Sequence, residues 1–373
     1  MAGAAFANGY AGNGLDIDDG SPYTRGHPGV QLLPAALAVG EAVGVTGKEL
    51  MRALAIGYEV ALLAGRCWHQ HHDEYQACGS WGSVGCAAVA AALLGLDREE
   101  TKHALGIAEY QAPNLPMMRD VDNPAMVKHG IGWGAMNGIM AAGLARSGFT
   151  GIPSLLGMER FRDWVSRLGN EWLLRDGLGM KRWCSCGWGH PCLAAALMLQ
   201  DKHTIDAARI AHITVYTFHH AWRLYQELPS TTEEAQFNVK WPLAALLIYG
   251  EVGPDQILEK GLDNETIAGL FDRIEIIEDR EINRKFMLAH EGIDSPDALW
   301  SSRVVIETDT GERYDSGEFV DTYEWNQERV EEKFRWITGY VFDQEKSGQI
   351  LHVLTDIENK DSVDEITSMF RKR

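Results

Sequence analysis

Between residues 28 and 203 apolar positions recur at helical spacing in one segment after another. Residues 28–43 are apolar and rich in Ala and Leu. Thr46-x-x-Glu49 forms a capping box that predicts a helix running to about residue 68. Residues 83–94 are small and apolar, and Asp97-x-x-Glu100 opens a further helix that ends near Gln111. Residues 130–145 read as helix although they carry Gly130, Gly132, Gly134, Gly138 and Gly143. So many glycines weaken an isolated helix and suit one packed tightly in a core or against a ligand. The Ala-rich face at residues 87–92 points the same way.

The pattern changes after Lys181. Residues 190–200 predict one more helix, and Ile210 to Tyr216 alternates as a strand does. Helices are expected at about 234–249, 254–261 and 265–272, with a short strand at 274–277. Residues 304–307, the turn Asp309-Thr310-Gly311 and residues 313–319 read as a hairpin. Helical spacing returns at 328–336, 343–355 and 363–370. The predicted fold is mainly α with an α+β insert. A large all-helical domain is built from both chain ends (1–180 and 325–373), and a smaller α+β lid covers 181–324. No internal repeat or low-complexity linker interrupts this layout.

The 373 residues suffice for two domains, and 45% hydrophobic with 23% charged residues is an ordinary globular balance. A formal net charge of −19 argues against nucleic acid and anionic membranes as partners, because both need a basic surface. It does not exclude small anions, which respond to the local site. No apolar run is long enough for a membrane span, and Met1 to Phe6 lacks the basic start of a signal peptide. Six cysteines in a chain of this length do not make a disulfide scaffold, so a reducing cytoplasm is the expected compartment.

Candidate chemistry starts in the first thirty residues, read as a Gly-rich loop ahead of a long apolar helix. That stretch holds Asp16, Asp18, Asp19 and His27. A carboxylate can orient an imidazole, which then acts as acid or base near neutral pH. The same residues also fit a solvated acidic loop with a helix-capping role, or a hard-cation site, although EF-hand spacing is absent. Lys128-His129 stands where the Gly-rich helix begins, a place where first-turn amides favour an anion. It reads equally as a surface lysine ahead of a packed helix. Gly179-Met180-Lys181-Arg182-Trp183 lies at the change of pattern, where clefts form between domains; a basic hinge is the alternative. His69-Gln70-His71-His72-Asp73 reads as an exposed His-rich loop beside a cleft rather than a zinc site, since HExxH is absent. Cys184, Cys186 and Cys192 lack paired CxxC spacing and read as buried thiols. No Walker A, no GxGxxG after a strand and no GxSxG elbow is present, so nucleotide hydrolysis and serine-hydrolase chemistry lack support.

Together these segments resemble the MmgE/PrpD family, which includes 2-methylcitrate dehydratase, cis-aconitate decarboxylase and iminodisuccinate epimerase. The matching residues run in family order and cover nearly the whole chain. They are Asn8-Gly9 through Leu15-Asp16-Ile17-Asp18-Asp19 and His27-Pro28, then Gly82-Ser83-Val84-Gly85, then Met126-Val127-Lys128 through Gly132-Trp133-Gly134-Ala135. Lys181 with His190-Pro191, Ala235-Gln236-Phe237 and Val330-Glu331-Glu332-Lys333-Phe334 complete the set.

The resemblance implies a large helical domain with a smaller lid and an active site between them, no metal or organic cofactor, and a homodimer. It implies Asp16 and His27 as catalytic acid and histidine, and Lys128 and Lys181 as substrate-side lysines from the two domains. Asp19, Gln76, His129, Cys186 and His190 are assigned to substrate binding. Three departures stand out. The chain starts near the Asn-Gly motif, so the family's usual leading helices are expected to be missing, either truncated or naturally absent. Gln76-Ala77 occupies the place of a His-Pro pair found in some members, so a catalytic histidine is expected to be missing there unless His71 or His72 reaches in. Trp222 falls where cis-aconitate decarboxylase would carry a tyrosine.

The expected chemistry is proton transfer at a carbon next to a carboxylate, on a small di- or tricarboxylic acid. A hydro-lyase of the 2-methylcitrate type is the first expectation. An epimerase of a substituted succinate, or a silent carboxylate-binding relative, is the alternative.

Overall fold

A computed structural model describes residues 1–370, apart from the side chain of Asp176. Seven helices of six or more residues form the first half: α1 Ala2–Gly12, α2 Gly29–Val43, α3 Gly47–His71, α4 Cys78–Leu94, α5 Arg98–Tyr110, α6 Met117–Asp122 and α7 Ile131–Arg146. The two capping boxes act as expected: Thr46 accepts from Glu49 N at the start of α3, and Asp97 accepts from Glu100 N at the start of α5.

Helix α4 is buried around nearly its whole circumference and packs against α2, α3, α5 and α7. Its small residues make that possible. A Cβ on Gly138 of α7 would lie 2.5 Å from Cys86 Cβ, and one on Gly85 would lie 2.5 Å from Ala61 Cβ. Glycine therefore marks close helix approach here rather than helix breaking.

The first correction falls at the N-terminus. Residues 2–12 are helix α1, not part of a Gly-rich loop. Gly9 lies against Gly132 of α7, where a Cβ would stand 3.1 Å from Gly132 Cα. Phe6 meets Tyr10 and Trp133 edge-on, with ring centroids 5.1 Å apart in each pair. Tertiary packing thus outweighs the weak helix propensity of glycine.

The second half begins with α8 His190–Lys202 and contains a mixed sheet. Strand β3 Ile210–Thr217 lies parallel to β4 Ile274–Glu278 and antiparallel to β5 Ser301–Thr308. Strand β6 Arg313–Asp315 closes the expected hairpin on β5, and β7 Phe319–Val320 pairs with the start of β5. A two-stranded ribbon not foreseen in the sequence joins β1 Asp19–Gly20 to β2 Gly179–Met180.

The single helix expected at 234–249 is two, α9 Thr232–Gln236 and α10 Lys240–Tyr249. Pro242 tolerates a first helical turn but cannot donate back into a continuous one. Asn238 Oδ1 instead accepts from Trp241 N at 3.1 Å. Helix α11 Arg280–His290 was not anticipated. Asp279 caps it, and it buries Ile282, Phe286 and His290 along one stripe.

Helices α12 Gln327–Thr338 and α13 Gln344–Thr355 follow, and the chain then returns to the first half. Val363 and Ile366 sit in the same buried cluster as α2, α3 and α4, separate from the cluster that contains the sheet. Among the described residues no helix is long and apolar enough to cross a membrane.

Candidate active site

The turn after α1 points its carboxylates inward. Asp16 adopts φ +49°, an uncommon value for a residue with a Cβ. Asn13 Nδ2 donates to Asp18 Oδ2 at 2.8 Å and reaches Asp16 Oδ1 at 3.5 Å, which holds the turn. The ribbon then brings in the second half: Lys181 N donates to Asp18 O at 3.0 Å, immediately after β2. Lys181 Nζ thereby arrives 2.7 Å from Asp16 Oδ1 and 3.6 Å from Asp18 Oδ1. From the far end of the chain, Lys333 Nζ donates to Ile17 O at 2.6 Å.

Two imidazoles flank this ion pair. His27 Nδ1 is 2.5 Å from the carbonyl oxygen of Asp19 and 3.5 Å from Asp18 Oδ1. A carbonyl only accepts, so Nδ1 carries the proton and Nε2 keeps its lone pair. His129 has φ +60° and precedes Gly130 at φ +61°. Asp120 of α6 grips it twice, accepting from its backbone N at 2.6 Å and standing 3.2 Å from Nδ1. His129 Nε2 is 3.9 Å from Asp16 Oδ1, and the His27 and His129 rings lie 5.1 Å apart.

Burial would raise the Asp16 pKa, but the charges of Lys181 and then Lys128 hold it well below the usual carboxylate range, and the two imidazoles add to this only where the pH is low enough to protonate them. Burial pulls Lys181 down, and Asp16 and Asp18 more than offset it, so its pKa is raised. Burial lowers the His27 pKa to about 4, leaving a neutral ring at neutral pH. Asp19 is the opposite case. Burial, then the Asp18 charge, raises its pKa to about 7, against donation from Gly29 N.

A cavity of about 410 Å³ lies between the two halves; Asp16 is fully buried and does not line it, but meets it through Lys181 and the two imidazoles. His27, His129, Lys181, Cys186 and His190 all line it. The rest of the wall is largely apolar and includes Met117, Trp188 and Trp300. Cys186 stays protonated, since burial and then Asp16 push its thiol up to about 12. His190 Nε2 is 3.3 Å from Ser185 O, and burial lowers its pKa to about 3.

Other expected site residues lie elsewhere. Asp19 turns its carboxylate away from the cavity, accepting from Gly29 N at 2.8 Å and Tyr58 OH at 3.3 Å. Its contribution is the backbone oxygen that orients His27. Lys128 is buried behind the wall, where its ammonium donates to Gln236 Oε1. Gln236 in turn donates to Gly14 O at 3.0 Å. Gln76 does not line the cavity; its Oε1 accepts from Leu115 N at 2.6 Å and from Ser80 Oγ at 3.3 Å.

His71 and His72 are exposed, in contact with Arg160 and Trp68 respectively, and do not reach the cavity. His69 instead turns inward, with Nε2 2.8 Å from Thr24 O. Trp222 stacks on His219, outside the cavity. Tyr75 does line it, with its hydroxyl donating to Arg25 O at 2.5 Å. Tyr75, Trp300, Arg25 and Asp120 carry no local sequence signal and were missed. All six cysteines are buried and free.

One atom each of Asp16, His27 and His129 fall within 4.8 Å of one another, a spacing a metal could use. The Lys181 ammonium beside Asp16 is the cation that this triangle already holds, so a metal ion there would have to displace it.

The chain is similar to known proteins of one family. The family model described as MmgE/PrpD N-terminal domain matches residues 1–168, and that of the MmgE/PrpD C-terminal domain matches residues 183–358. A cis-aconitate decarboxylase-like protein of Aspergillus oryzae is 26% identical over 98% of this chain and 81% of its own length. The human cis-aconitate decarboxylase is 26% identical over 73% of this chain and 60% of its own length. That of Aspergillus terreus is 24% identical over 95% of this chain and 79% of its own. With both family models matched in order over most of its length, the chain belongs to the MmgE/PrpD family.

Proposed function

We propose that this protein is a lyase acting on a small di- or tricarboxylic acid, with Asp16, His27, His129 and Lys181 as its reacting centre. The observation that carries this reading is the buried Asp16–Lys181 pair at 2.7 Å, whose lysine lines the same cavity as His27. An ammonium in a largely apolar cavity attracts a substrate carboxylate far more strongly than it would in water. Lys128, tied to Gln236, adds charge that keeps Asp16 ionised rather than contact with substrate.

His27 is the proton carrier. Its Nδ1–H is committed to the Asp19 carbonyl, so Nε2 is the nitrogen that exchanges a proton with substrate carbon. At neutral pH the ring is a base. A bound polycarboxylate sets negative charge beside it and raises its proton affinity, so the substrate itself loads the acid form.

Loss of carbon dioxide is the reaction we favour, on the likeness to the cis-aconitate decarboxylases. One carboxylate departs as CO2, its electron pair is delocalised toward a neighbouring carboxylate held by Lys181, and a proton from His27 is delivered to carbon. Trp222, which would count against a decarboxylase, lies outside the cavity and does not bear on the choice. A hydro-lyase of the 2-methylcitrate type is the second reading. Dehydration needs a second group to protonate the departing hydroxide, and His129 stands 5.1 Å from His27, ring to ring.

The test is proton NMR of the purified protein in deuterated water with cis-aconitate, citrate, 2-methylcitrate and chiral substituted succinates. CO2 loss with one deuteron incorporated supports the decarboxylase. Water loss supports the hydro-lyase. Exchange with inversion and no net loss identifies an epimerase and overturns the lyase reading, as does the absence of any turnover.

A further inference from the structure

Beside the reaction cavity lies a second one of about 180 Å³, whose wall includes Arg25, Arg66, His69, His290 and Glu291. Pro22 and Arg25 line both cavities. Tyr75 stands at the partition: it lines the reaction cavity, and its ring meets His69 and His290 edge-on at 5.2 Å each.

The chain as a whole carries −19, yet this hollow collects two guanidiniums. Among the described residues, no carboxylate comes within ion-pair distance of either one. Both are held by their faces: Arg66 lies 4.0 Å from the Trp164 ring centroid and 5.9 Å from that of Tyr23, and Arg25 lies 5.8 Å from Tyr75. Face stacking leaves the in-plane N–H edges free, and those edges match a carboxylate. Glu291 is exposed at the rim, and its charge favours the ionised form of Arg25.

The imidazoles add unpaired polar atoms. His290 is 4% exposed, and its Nδ1 has no partner among the described residues. His69 Nδ1 is likewise buried and unpartnered, while its Nε2 is committed to Thr24 O. Burial and then the Arg25 charge keep both rings neutral, with pKa values of about 4 for His69 and about 2 for His290. His290, with its proton on Nδ1, can donate to a bound carboxylate oxygen without adding charge, whereas His69 spends its proton on Thr24 O and keeps only a lone pair on Nδ1. Buried polar atoms left unpaired cost stability unless a ligand or water satisfies them.

We propose that this side cavity is a carboxylate-binding subsite built on Arg25 and Arg66, taking either the carboxylate of the substrate most remote from His27 or the carboxylate of a separate small acid. The assignment rests on the two guanidiniums and goes beyond the lyase reading. The substrate's carboxylate as occupant rests on that reading, whereas a separate small acid does not.

The test is isothermal titration calorimetry of the full chain with tricarballylate and with succinate, before and after Arg66→Gln. Arg66 lies outside the reaction cavity wall, so the substitution leaves the proposed catalytic groups in place. We expect a loss of affinity of about tenfold or more. One bound acid with Arg66-sensitive affinity identifies the remote carboxylate of a substrate. Two bound acids, only one of them Arg66-sensitive, identify a separate small acid. Binding that is equally tight in both proteins, or no binding to the wild type, overturns the subsite. If Arg66→Gln does not fold, Arg66→Lys reads the same contact, because an ammonium cannot bind bidentately; a drop of about threefold or more is then expected. Turnover in the NMR assay reports separately on the lyase reading. Arg66-sensitive binding without turnover leaves the subsite standing and removes the lyase.

Discussion

Lys181 Nζ lies 2.7 Å from Asp16 Oδ1, and the two side chains are 7% and 0% exposed. Each is the main charge that keeps the other ionised out of water. The pair also joins the turn after α1 to the residue that follows β2, so it couples the electrostatics of the site to the closure of the two halves.

Breaking such a pair leaves one buried charge uncompensated. Lys181→Met should therefore cost about 3–5 kcal/mol, read as a lower urea midpoint. Adding Asp16→Asn to the same protein should recover most of that loss. A single mutant within about 1 kcal/mol of wild type would show that the pair is hydrated rather than buried.

His27 makes one oriented hydrogen bond and otherwise faces the cavity. His27→Ala should cost about 10²–10⁴ in turnover while circular dichroism and the unfolding midpoint stay close to wild type. Near-wild-type turnover on the acid that the wild type consumes would remove His27 from proton transfer.

Five histidines are held neutral chiefly by burial: His27, His69 and His220 with pKa values of about 4, His190 about 3 and His290 about 2. Each lies below the ordinary value of 6.5, so the unfolded chain binds these protons first as the pH falls. Stability from these groups is fully present above pH 6.5 and is lost progressively as the pH falls from 6.5 toward 4. A tenfold difference in proton affinity between the folded and unfolded chain is worth about 1.4 kcal/mol per group. Asp19, raised to about 7, works in the opposite direction: its contribution is present below 3.8 and lost as the pH rises through 7. With these five histidines outnumbering the two carboxyls that burial raises, Asp19 and Glu109, the thermal midpoint should fall steeply from about pH 6.5 to about pH 4. A flat profile over that window would contradict the burial of these rings.

Gly79 of α4 sits where a Cβ would be 2.2 Å from the carbonyl oxygen of Gly130. Because the obstacle is backbone, it cannot rotate away. Gly79→Ala should destabilise by about 1–3 kcal/mol, and should lower turnover more than stability alone explains, because Gly130 follows His129 directly. An unfolding midpoint equal to wild type would show that α4 and the His129 turn can separate freely.

Much of this molecule was legible before its structure was known. The two capping boxes, the alternation at 210–216 and the hairpin turn are local signals, and local hydrogen bonds decide them. Helix α1 was not legible, because its glycines look like a loop until Gly132 is seen to pack on Gly9. The break between α9 and α10 was readable in Pro242, and the stripe of Ile282, Phe286 and His290 was readable as an amphipathic face.

The same division runs through the site. The chain alone determined which residue types were present: a carboxylate cluster with a histidine, a Lys-His pair ahead of a Gly-rich helix, and a lysine at the change of pattern. Only the tertiary structure decided which of them meet. It brought Lys181 onto Asp16 and left Lys128 behind the wall with Gln236. It turned the Asp19 carboxylate toward Gly29 and gave Gln76 to the Leu115 backbone. It also supplied Asp120, Tyr75 and Arg25, which no local pattern marked. The reason is physical. Helix caps and strand alternation depend on neighbours within a few residues. A buried ion pair depends on two segments brought together by closure of the halves, and its energy exists only once water has been excluded from both.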